Sequence, residues 1–412
     1  MQSGTGGSYR DVSFGNRGTN QPLALKLEDI GVEMDRNGDE GIVIDALDLI
    51  RSVVHDNQEL AQQLLVSMES GDPVVSHTMT EDALTRSANQ HHAVPRTNLI
   101  TSAMSVLTAL LAVPNYSNRV WLYIRSSSSL FGSDRSVGVA SSVLAAERLT
   151  GHYTMTLALL HLVEALFTEA SATVLLVMQQ NPKLQQVKEE VLMRAARFVH
   201  SEIWVEHMGW KYAQLGDRFE IGRRVSTFYM EVFKHSSPAL KDAPFAKLSH
   251  AIADALLFKA TTSTVNPLVA TLVTGGSVMN MLYASRRYGD ARRLVYLLES
   301  HLALTRTLLT YKQKSPGSGK ICLLEQALCS RVGSGGSFES GATRADPVDA
   351  LAAYVKERSM GDVVPVAAMQ VLFALCSSLS SSEGSASTII GHLSDPEATV
   401  STNGADCPAS IR

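Results

Sequence analysis

The sequence contains few cysteines and no excess of positive charge. It has four cysteines in 412 residues, Cys322, Cys329, Cys376 and Cys407, and no two of them form a CxxC pair. A zinc knuckle or redox motif is therefore not expected, and we predict reduced thiols in a nuclear or cytosolic protein. The 36 basic and 40 acidic residues leave a net charge of −4, which disfavours general affinity for nucleic acid or an anionic membrane.

The sequence also lacks a secretory signal and an uninterrupted membrane-spanning run. Its start, MQSGTGGSYRDVSFGNRGTN, is polar and glycine-rich, whereas a signal peptide needs an apolar core. The most apolar run, TMTLALLHLVEALFTEASATVLLVM, is interrupted by His161, Glu164 and Glu169, which are costly within a bilayer. We therefore predict a pair of buried helices there and no transmembrane segment.

Apolar residues recur at helical spacing along most of the chain, and the sustained alternation typical of strands is hard to find. In KLQQVKEEVLMRAARFVHSEIW, the predicted buried face comprises Leu184, Val187, Val191, Ala195, Phe198 and Glu202. The residues predicted to lie mainly off that face are Lys188, Glu189, Arg194 and Arg197. Prolines fall at or near predicted helix starts, where a missing N–H costs little: Pro95, Pro182, Pro238, Pro267, Pro347 and Pro365.

These patterns predict an all-α fold, an irregular α-solenoid of stacked antiparallel helix pairs of the HEAT or armadillo type. We divide the chain into a polar, partly disordered segment at 1–40, the solenoid at 41–395 and a polar tail at 396–412. Within the solenoid, the stretches near 125–136 and 332–346 are rich in Ser and Gly. We predict that both stretches are loose loops.

The stretch DRNGDEGIVIDA begins like an EF-hand calcium loop, with Asp35, Asn37 and Asp39 at alternate positions. It has Glu40 where the sharp turn needs Gly, and Ala46 where a bidentate Glu should close the cage. We therefore interpret this stretch as a polar turn before a helix.

No other motif in the sequence indicates a catalytic or ligand-binding site. SPGSGKI lacks the first Gly and the final Ser or Thr of a phosphate-binding loop, so we predict an inter-helix linker. The histidines, including His91, His92, His200 and His207, do not supply three ligands at metal-binding spacing. GxSxG and HExxH are absent. We assign no catalytic, cofactor-binding or metal-binding residue and expect no cofactor.

The stretch SRRYGDARRL places four arginines around one tyrosine: Arg286, Arg287, Arg292 and Arg293 around Tyr288. Arginines beside an aromatic ring can hold single-stranded nucleic acid. The negative charge of the chain instead favours a solvated corner between two helices, with Asp290 near the start of the second helix. We expect no direct contact with nucleic acid.

The stretch HSEIWVEHMGWKYAQLGDRFEIG predicts a packed corner between two helices. The first helix is predicted to end near Met208, and Trp210 and Tyr212 turn back as aromatic anchors. Asp217 is interpreted as the cap of the next helix. Gly222, inside that helix, indicates the close approach of another helix.

This corner and the upstream helix GHYTMTLALLHLVEAL resemble the middle region of the large inner-ring scaffold nucleoporins of the nuclear pore complex. The nearer type is nucleoporin one-eighty-eight, whose sister is the one-ninety-two and two-oh-five type. Downstream, CLLEQALCSR and DPVDALAAYVKERSMGDVVPVAAMQVLFALCSSL are similar to a short helix, a loop and two more solenoid helices in those proteins. The resemblance covers about residues 40–395.

The resemblance implies a non-enzymatic structural subunit at the nuclear pore complex of the nuclear envelope. It would bind other nucleoporins, including helical segments of linker nucleoporins. Family members are several times longer, so this chain would correspond to an internal portion. Two alternatives stay open: a soluble armadillo or HEAT-type transport receptor or adaptor, and an enzyme whose site is assembled from dispersed residues.

Overall fold

The computed structural model describes residues 40–56, 59, 97–113, 116–126, 130–132, 138–175, 182–236, 245–259, 261–314, 322–329, 346–357 and 360–380. Within these ranges it contains thirteen α-helices and no β-strand, which confirms the all-α prediction. The helices are α1 (Glu40–Asp56), α2 (Thr97–Leu111), α3 (Ser117–Ser126), α4 (Val139–Thr150), α5 (Thr154–Leu175), α6 (Pro182–Phe198), α7 (Leu215–Lys234), α8 (Ala246–Ala253), α9 (Thr262–Ala284), α10 (Tyr288–Lys314), α11 (Leu323–Cys329), α12 (Pro347–Lys356) and α13 (Val363–Ser380).

The helices stack in two rows. In the first row, α1, α2, α5, α7, α10 and α13 each pack on the next member of the row. In the second row, α3 packs on α6 and α6 on α8, and α9 packs on α12. The rows are joined where α9 packs on α10 and α12 packs on α13. This arrangement is an irregular α-solenoid, in which each helix buries its apolar face against its neighbours.

The longest helix, α10, shows how the rows share a core. Its 27 residues span about 40 Å, and it lies between α7, α9 and α13. Because neighbours cover it on several sides, its buried residues extend around most of its circumference. They include Leu294, Leu297, Leu298, His301, Leu302, Thr305, Leu308 and Leu309.

Helix starts follow the predicted proline positions. Asp346 caps α12, since its carboxylate accepts a hydrogen bond from the Val348 N–H at 3.0 Å, and Pro347 is the first helical residue. Pro182 begins α6, and Pro365 lies in the first turn of α13. Pro267 lies deeper, as the sixth residue of α9. Pro95 and Pro238 fall outside the described residues.

The apolar run predicted as a helix pair is one helix up to Leu175, so the prediction of a pair was wrong for residues 154–175. In the part of the chain that the structure describes, two helices are long and apolar enough to cross a membrane by length and composition alone, Thr154–Ala172 and Thr262–Ala284. Half of the first and 44% of the second are buried within the solenoid. In the first, Glu164 accepts from Arg224 at 2.7 Å. Packing within the solenoid therefore explains the apolar residues of the first helix, and ion pairing explains its charged residue Glu164.

Several predictions concern residues outside the described part of the chain: the segment 1–39, the loop 332–345, the linker SPGSGKI, and residues 381–412. Of the predicted loop at 125–136, residues 127–129 and 133–136 also fall outside it. The described turn between them packs inward, since Leu130 is buried and the Phe131 ring lies 5.9 Å from that of Phe198.

Candidate protein-interaction surface and its supporting corner

The corner between α6 and α7 is built on an interrupted helix. After Phe198 the chain forms a π-helical turn from Val199 to Trp204, and then a 3₁₀ turn from His207 to Gly209. A π turn holds one more residue than an α-helical turn. Trp204 is fully buried, and its Nε1 donates a hydrogen bond to the Thr264 carbonyl at 2.7 Å. The corner is thereby fixed to the start of α9.

Three aromatic rings hold the outer part of this corner together. The Tyr153 and Trp210 rings are stacked with centroids 5.0 Å apart, and the Tyr212 ring lies 4.8 Å from Tyr153. The hydroxyl of Tyr153 donates to the Lys211 carbonyl, and that of Tyr212 to the His207 carbonyl, both at 2.8 Å. These contacts confirm the prediction that Trp210 and Tyr212 are packing anchors.

Gly222 lies where α7 approaches α10 most closely. A Cβ atom at this position would lie 2.9 Å from Leu297 Cδ1, 3.4 Å from His207 Nε2 and 3.5 Å from His301 Nε2. Burial lowers the pKa of His207 to about 4 and that of His301 to about 3. Both imidazoles are therefore neutral at physiological pH and act as packing groups beside the glycine. The predicted close approach at Gly222 is confirmed.

The predicted cap of α7 was wrong. The helix begins at Leu215, the residue before it is Gln214, and Asp217 lies within the first turn. Burial raises the pKa of Asp217, with Arg293 acting in the opposite direction. A carboxylate in the first turn still interacts favourably with the helix dipole. The sequence pattern therefore resembles a cap, although Asp217 lies three residues after the actual cap position, Gln214.

A buried ion pair joins α5 and α6. Lys188 Nζ lies 2.9 and 2.8 Å from the two carboxylate oxygens of Glu169, and Trp121 Nε1 donates to the same carboxylate at 2.6 Å. Lys188 is only 2% exposed, so its predicted position off the buried face was wrong. Because α6 packs on both α3 and α5, its buried surface is wider than one helical stripe.

A second buried ion pair joins α10, α11 and α13. The Lys312 ammonium donates to Glu325 at 2.5 Å, and Glu325 also accepts from the Cys322 N–H at 2.8 Å and from the Ser378 hydroxyl. Glu325 is fully buried. Glu325 is the acidic residue of the LEQAL stretch in α11. Through this residue the short helix α11 is bonded to both α10 and α13.

Two open clefts lie on the first row of helices. A cleft of about 550 Å³ separates α7 and α10 and is lined by Glu220, Arg223, Thr227, Met230, Arg293, Tyr296, Glu299, Ser300 and Ala303. A cleft of about 460 Å³ separates α10 and α13 and is lined by Glu299, Leu302, Ala303, Arg306, Asp362, Val363, Val366, Ala367 and Gln370. Because Glu299 and Ala303 line both, the clefts adjoin each other across α10.

The second cleft continues into an exposed apolar stripe on α13. Val363 and Val366 are each 52% exposed, Met369 is 56% exposed and Phe373 is 75% exposed. Their spacing of three to four residues places them along one side of the helix. Exposed apolar patches are typical of interaction surfaces, so this stripe is a candidate contact for a partner protein.

Comparison with known proteins identifies the family. Residues 25–334, three quarters of the chain, match the family model for nucleoporin Nup188, N-terminal subdomain III. The chain belongs to the Nup188 nucleoporin family. The sequence resemblance indicated the middle region of the family. The matched model gives a narrower position, a subdomain of the N-terminal part. As a nucleoporin of this family, it is a component of the nuclear pore complex.

A relative supports the same assignment. Nucleoporin nup184 of Schizosaccharomyces pombe is 26% identical over 175 residues, which make up 40% of this chain and 11% of that protein. The chain therefore spans a small part of the length of this Nup188-type relative. The match to the Nup188 family model includes α7, α10 and α11 but ends before α12 and α13, so it contains the first cleft and one side of the second.

Three of the four cysteines are neighbours, because Cys329 interacts electrostatically with both Cys322 and Cys376. Cys322, Cys329 and Cys376 are free thiols, and burial raises the pKa of the first two to about 11. His200 Nδ1 lies 3.3 Å from the Tyr229 hydroxyl. Among the described residues no group of three His, Cys, Asp or Glu could hold a metal ion. The stretch 35–39, His91, His92 and Cys407 fall outside the described ranges.

Proposed function

We propose that this chain is part of a structural scaffold subunit of the inner ring of the nuclear pore complex. Its adjoining clefts would hold a helical segment of a linker nucleoporin. The observation that carries the proposal is the surface shared by α7, α10 and α13, where two clefts adjoin at Ala303 and extend into the exposed stripe on α13. Its role is adhesion rather than catalysis, and in this way it supports pore assembly and nucleocytoplasmic transport.

The dimensions and lining of the surface suit an amphipathic helix. Neighbouring helices pack about 8–10 Å apart, so three adjacent helices present about 20 Å, the length of a helix of roughly 13 residues. Met230, Tyr296 and Val366 provide apolar contacts for its buried face. Arg223 and Asp362 lie toward opposite ends, where charges fix the orientation of a partner more than its affinity.

Photo-crosslinking in cells tests which protein occupies the two clefts. A photoreactive amino acid in place of Ala303 lies where both clefts meet, and the same amino acid at Thr310, also on α10 but outside both linings, is the matched control. We expect the first position alone to yield a crosslink to another nucleoporin. Equal crosslinking at both positions, or none at Ala303, would contradict the proposed cleft.

Photobleaching of a fluorescent copy at the nuclear rim tests the scaffold role separately. A scaffold subunit exchanges slowly because it is held by several interfaces at once. A soluble transport receptor or adaptor, the other function that the sequence allows, exchanges within seconds. Rapid and complete recovery would contradict the scaffold role even if Ala303 crosslinks to a nucleoporin.

A further inference from the structure

The connection between α9 and α10 forms an exposed surface that adjoins the first cleft at Tyr296. Every residue from 283 to 289 is exposed. We call the side chains of Tyr283, Arg286, Arg287, Tyr288 and Arg292 the arginine–tyrosine corner. Its two outer rings, Tyr283 and Tyr288, are 40% and 60% exposed, with centroids 6.0 Å apart and planes inclined at 52°. They present aromatic surface to solvent next to the arginines.

Arg286 occupies a backbone position that normally belongs to glycine. Its N–H donates to the Tyr283 carbonyl at 3.0 Å and the Arg287 N–H donates to the Leu282 carbonyl at 2.8 Å, which is the Schellman pattern of a helix end. The residue at its turning point has φ of 58°, a left-handed conformation that disfavours any side chain. An arginine at this point therefore reduces stability, and no ion pair to Arg286 exists within the described ranges.

The other arginines of the corner are held in place. Arg287 forms an ion pair with Asp290 at 2.6 Å. The Arg292 guanidinium lies 5.5 Å from the centroid of the Tyr296 ring, and its Nε donates to that hydroxyl at 2.8 Å. No carboxylate of the described part pairs with Arg292. Arg286 and Arg292 therefore provide two guanidinium groups without an acidic partner, beside exposed rings.

We propose that the arginine–tyrosine corner binds an acidic peptide segment of a protein partner that carries aromatic residues. The guanidinium group offers paired N–H donors that match the two oxygens of an Asp or Glu carboxylate. Tyr283 and Tyr288 provide faces and edges for an aromatic side chain of the same segment. The corner adjoins the first cleft through Arg292, which contacts Tyr296, whereas Arg286 lines neither cleft; substitutions at Arg286 therefore test the corner without changing the cleft linings.

The charge arrangement favours a peptide over two other anionic partners. Single-stranded nucleic acid is held by a positive groove that follows successive phosphates, whereas this corner is a single helix connection with Asp290 inside it. An anionic membrane surface is attracted by clusters of about four to eight Lys or Arg. Arg286 and Arg292 can each pair with one carboxylate of a peptide, and the two tyrosines can contact one aromatic ring. This arrangement suits an acidic peptide better than single-stranded nucleic acid or an anionic membrane.

Fluorescence anisotropy with the full chain tests this proposal. The probe is a fluorescein-labelled peptide of repeated Asp-Glu-Tyr triplets, and the matched control is a peptide of repeated Asn-Gln-Tyr triplets. A labelled oligouridylate and vesicles of phosphatidylserine and phosphatidylcholine report the other anionic partners. We expect saturable binding of the acidic peptide alone. Tighter binding of the oligouridylate or the vesicles, or no saturation up to about 1 mM peptide, would overturn the proposal.

Two substitutions at one position separate binding from folding. Arg286→Ala and Arg286→Gly should each weaken peptide binding about tenfold, the effect of one lost charge-assisted contact. Arg286→Gly should at the same time raise the melting temperature, because glycine accepts the left-handed backbone. Arg197→Ala, at an exposed arginine of α6, is the control. Unchanged peptide binding by Arg286→Gly, or an equal loss with Arg197→Ala, would refute the assignment.

Discussion

Replacing Gly275 and Gly276 one at a time with alanine should change the stability of the chain in opposite directions. Both glycines lie within α9, so both substitutions remove a glycine from a helix interior. A Cβ atom at Gly275 would lie 2.4 Å from the Tyr354 hydroxyl oxygen and 2.9 Å from Leu298 Cδ2. A Cβ atom at Gly276 meets nothing within 4 Å.

The magnitudes follow from these distances. Alanine stabilises a helix interior by about 1 kcal/mol relative to glycine, and Gly276→Ala should gain about 0.5–1 kcal/mol because nothing opposes it. At Gly275 the new methyl group displaces the buried Tyr354, whose hydroxyl donates to the Leu272 carbonyl at 2.7 Å. Overpacking and a lost buried hydrogen bond each cost about 1–3 kcal/mol. After the helix gain of about 1 kcal/mol is subtracted, we expect Gly275→Ala to lose about 1–5 kcal/mol net.

Urea-induced unfolding, followed by circular dichroism and by tryptophan fluorescence, measures both changes. The effect on the unfolded chain is nearly the same for two adjacent glycines, so the difference between the variants reports folded-state packing. Adding Tyr354→Phe to Gly275→Ala removes the clashing oxygen and should restore part of the loss. Midpoint shifts in the same direction for both single variants would refute the described contact between α9 and α12.

Three further predictions concern buried groups. Lys312→Met should destabilise the chain by about 3–5 kcal/mol, because Glu325 is left buried without its counter-ion; Glu325→Gln should restore most of this loss in urea unfolding. Acidification from pH 6.5 toward pH 4 should reduce stability by up to about 1.4 kcal/mol per pH unit from His301 alone. Its folded-state pKa of about 3 lies below the ordinary 6.5, so only the unfolded chain takes up that proton in this window. His301→Phe should therefore give a shallower loss in urea midpoints measured across this range, and an unchanged slope would contradict the assignment. Iodoacetamide at pH 8 should alkylate Cys322 and Cys329 about 100-fold more slowly in the folded than in the unfolded chain, as measured by mass spectrometry, because burial raises their pKa to about 11.

Features encoded by neighbouring residues could be predicted from the sequence. Asp346 and Pro347 define a helix start through local backbone geometry, and the structure has that cap. Trp204 and Gly222 lie in a stretch whose spacing indicates a packed helix corner, and both have the expected surroundings. These predictions needed only helix periodicity and the known preferences of turns and caps.

Features that depend on partners distant in sequence could not be predicted. Lys188 is buried because Glu169 meets it from another helix, and a charged residue read from the sequence alone belongs on the surface. The two clefts take their linings from α7, α10 and α13, whose sequences are separated by dozens of residues. Which helices become neighbours is decided by the packing of the whole stack, and no local pattern encodes it.

The neighbour-to-neighbour packing of the first row has a mechanical consequence. When the ends of such a stack are pulled, each pair of helices slides by a small amount, because packed side chains move past one another before they separate. These small displacements add along α1, α2, α5, α7, α10 and α13. We therefore expect the stack to lengthen under load by many small displacements between neighbouring helices before any one interface separates.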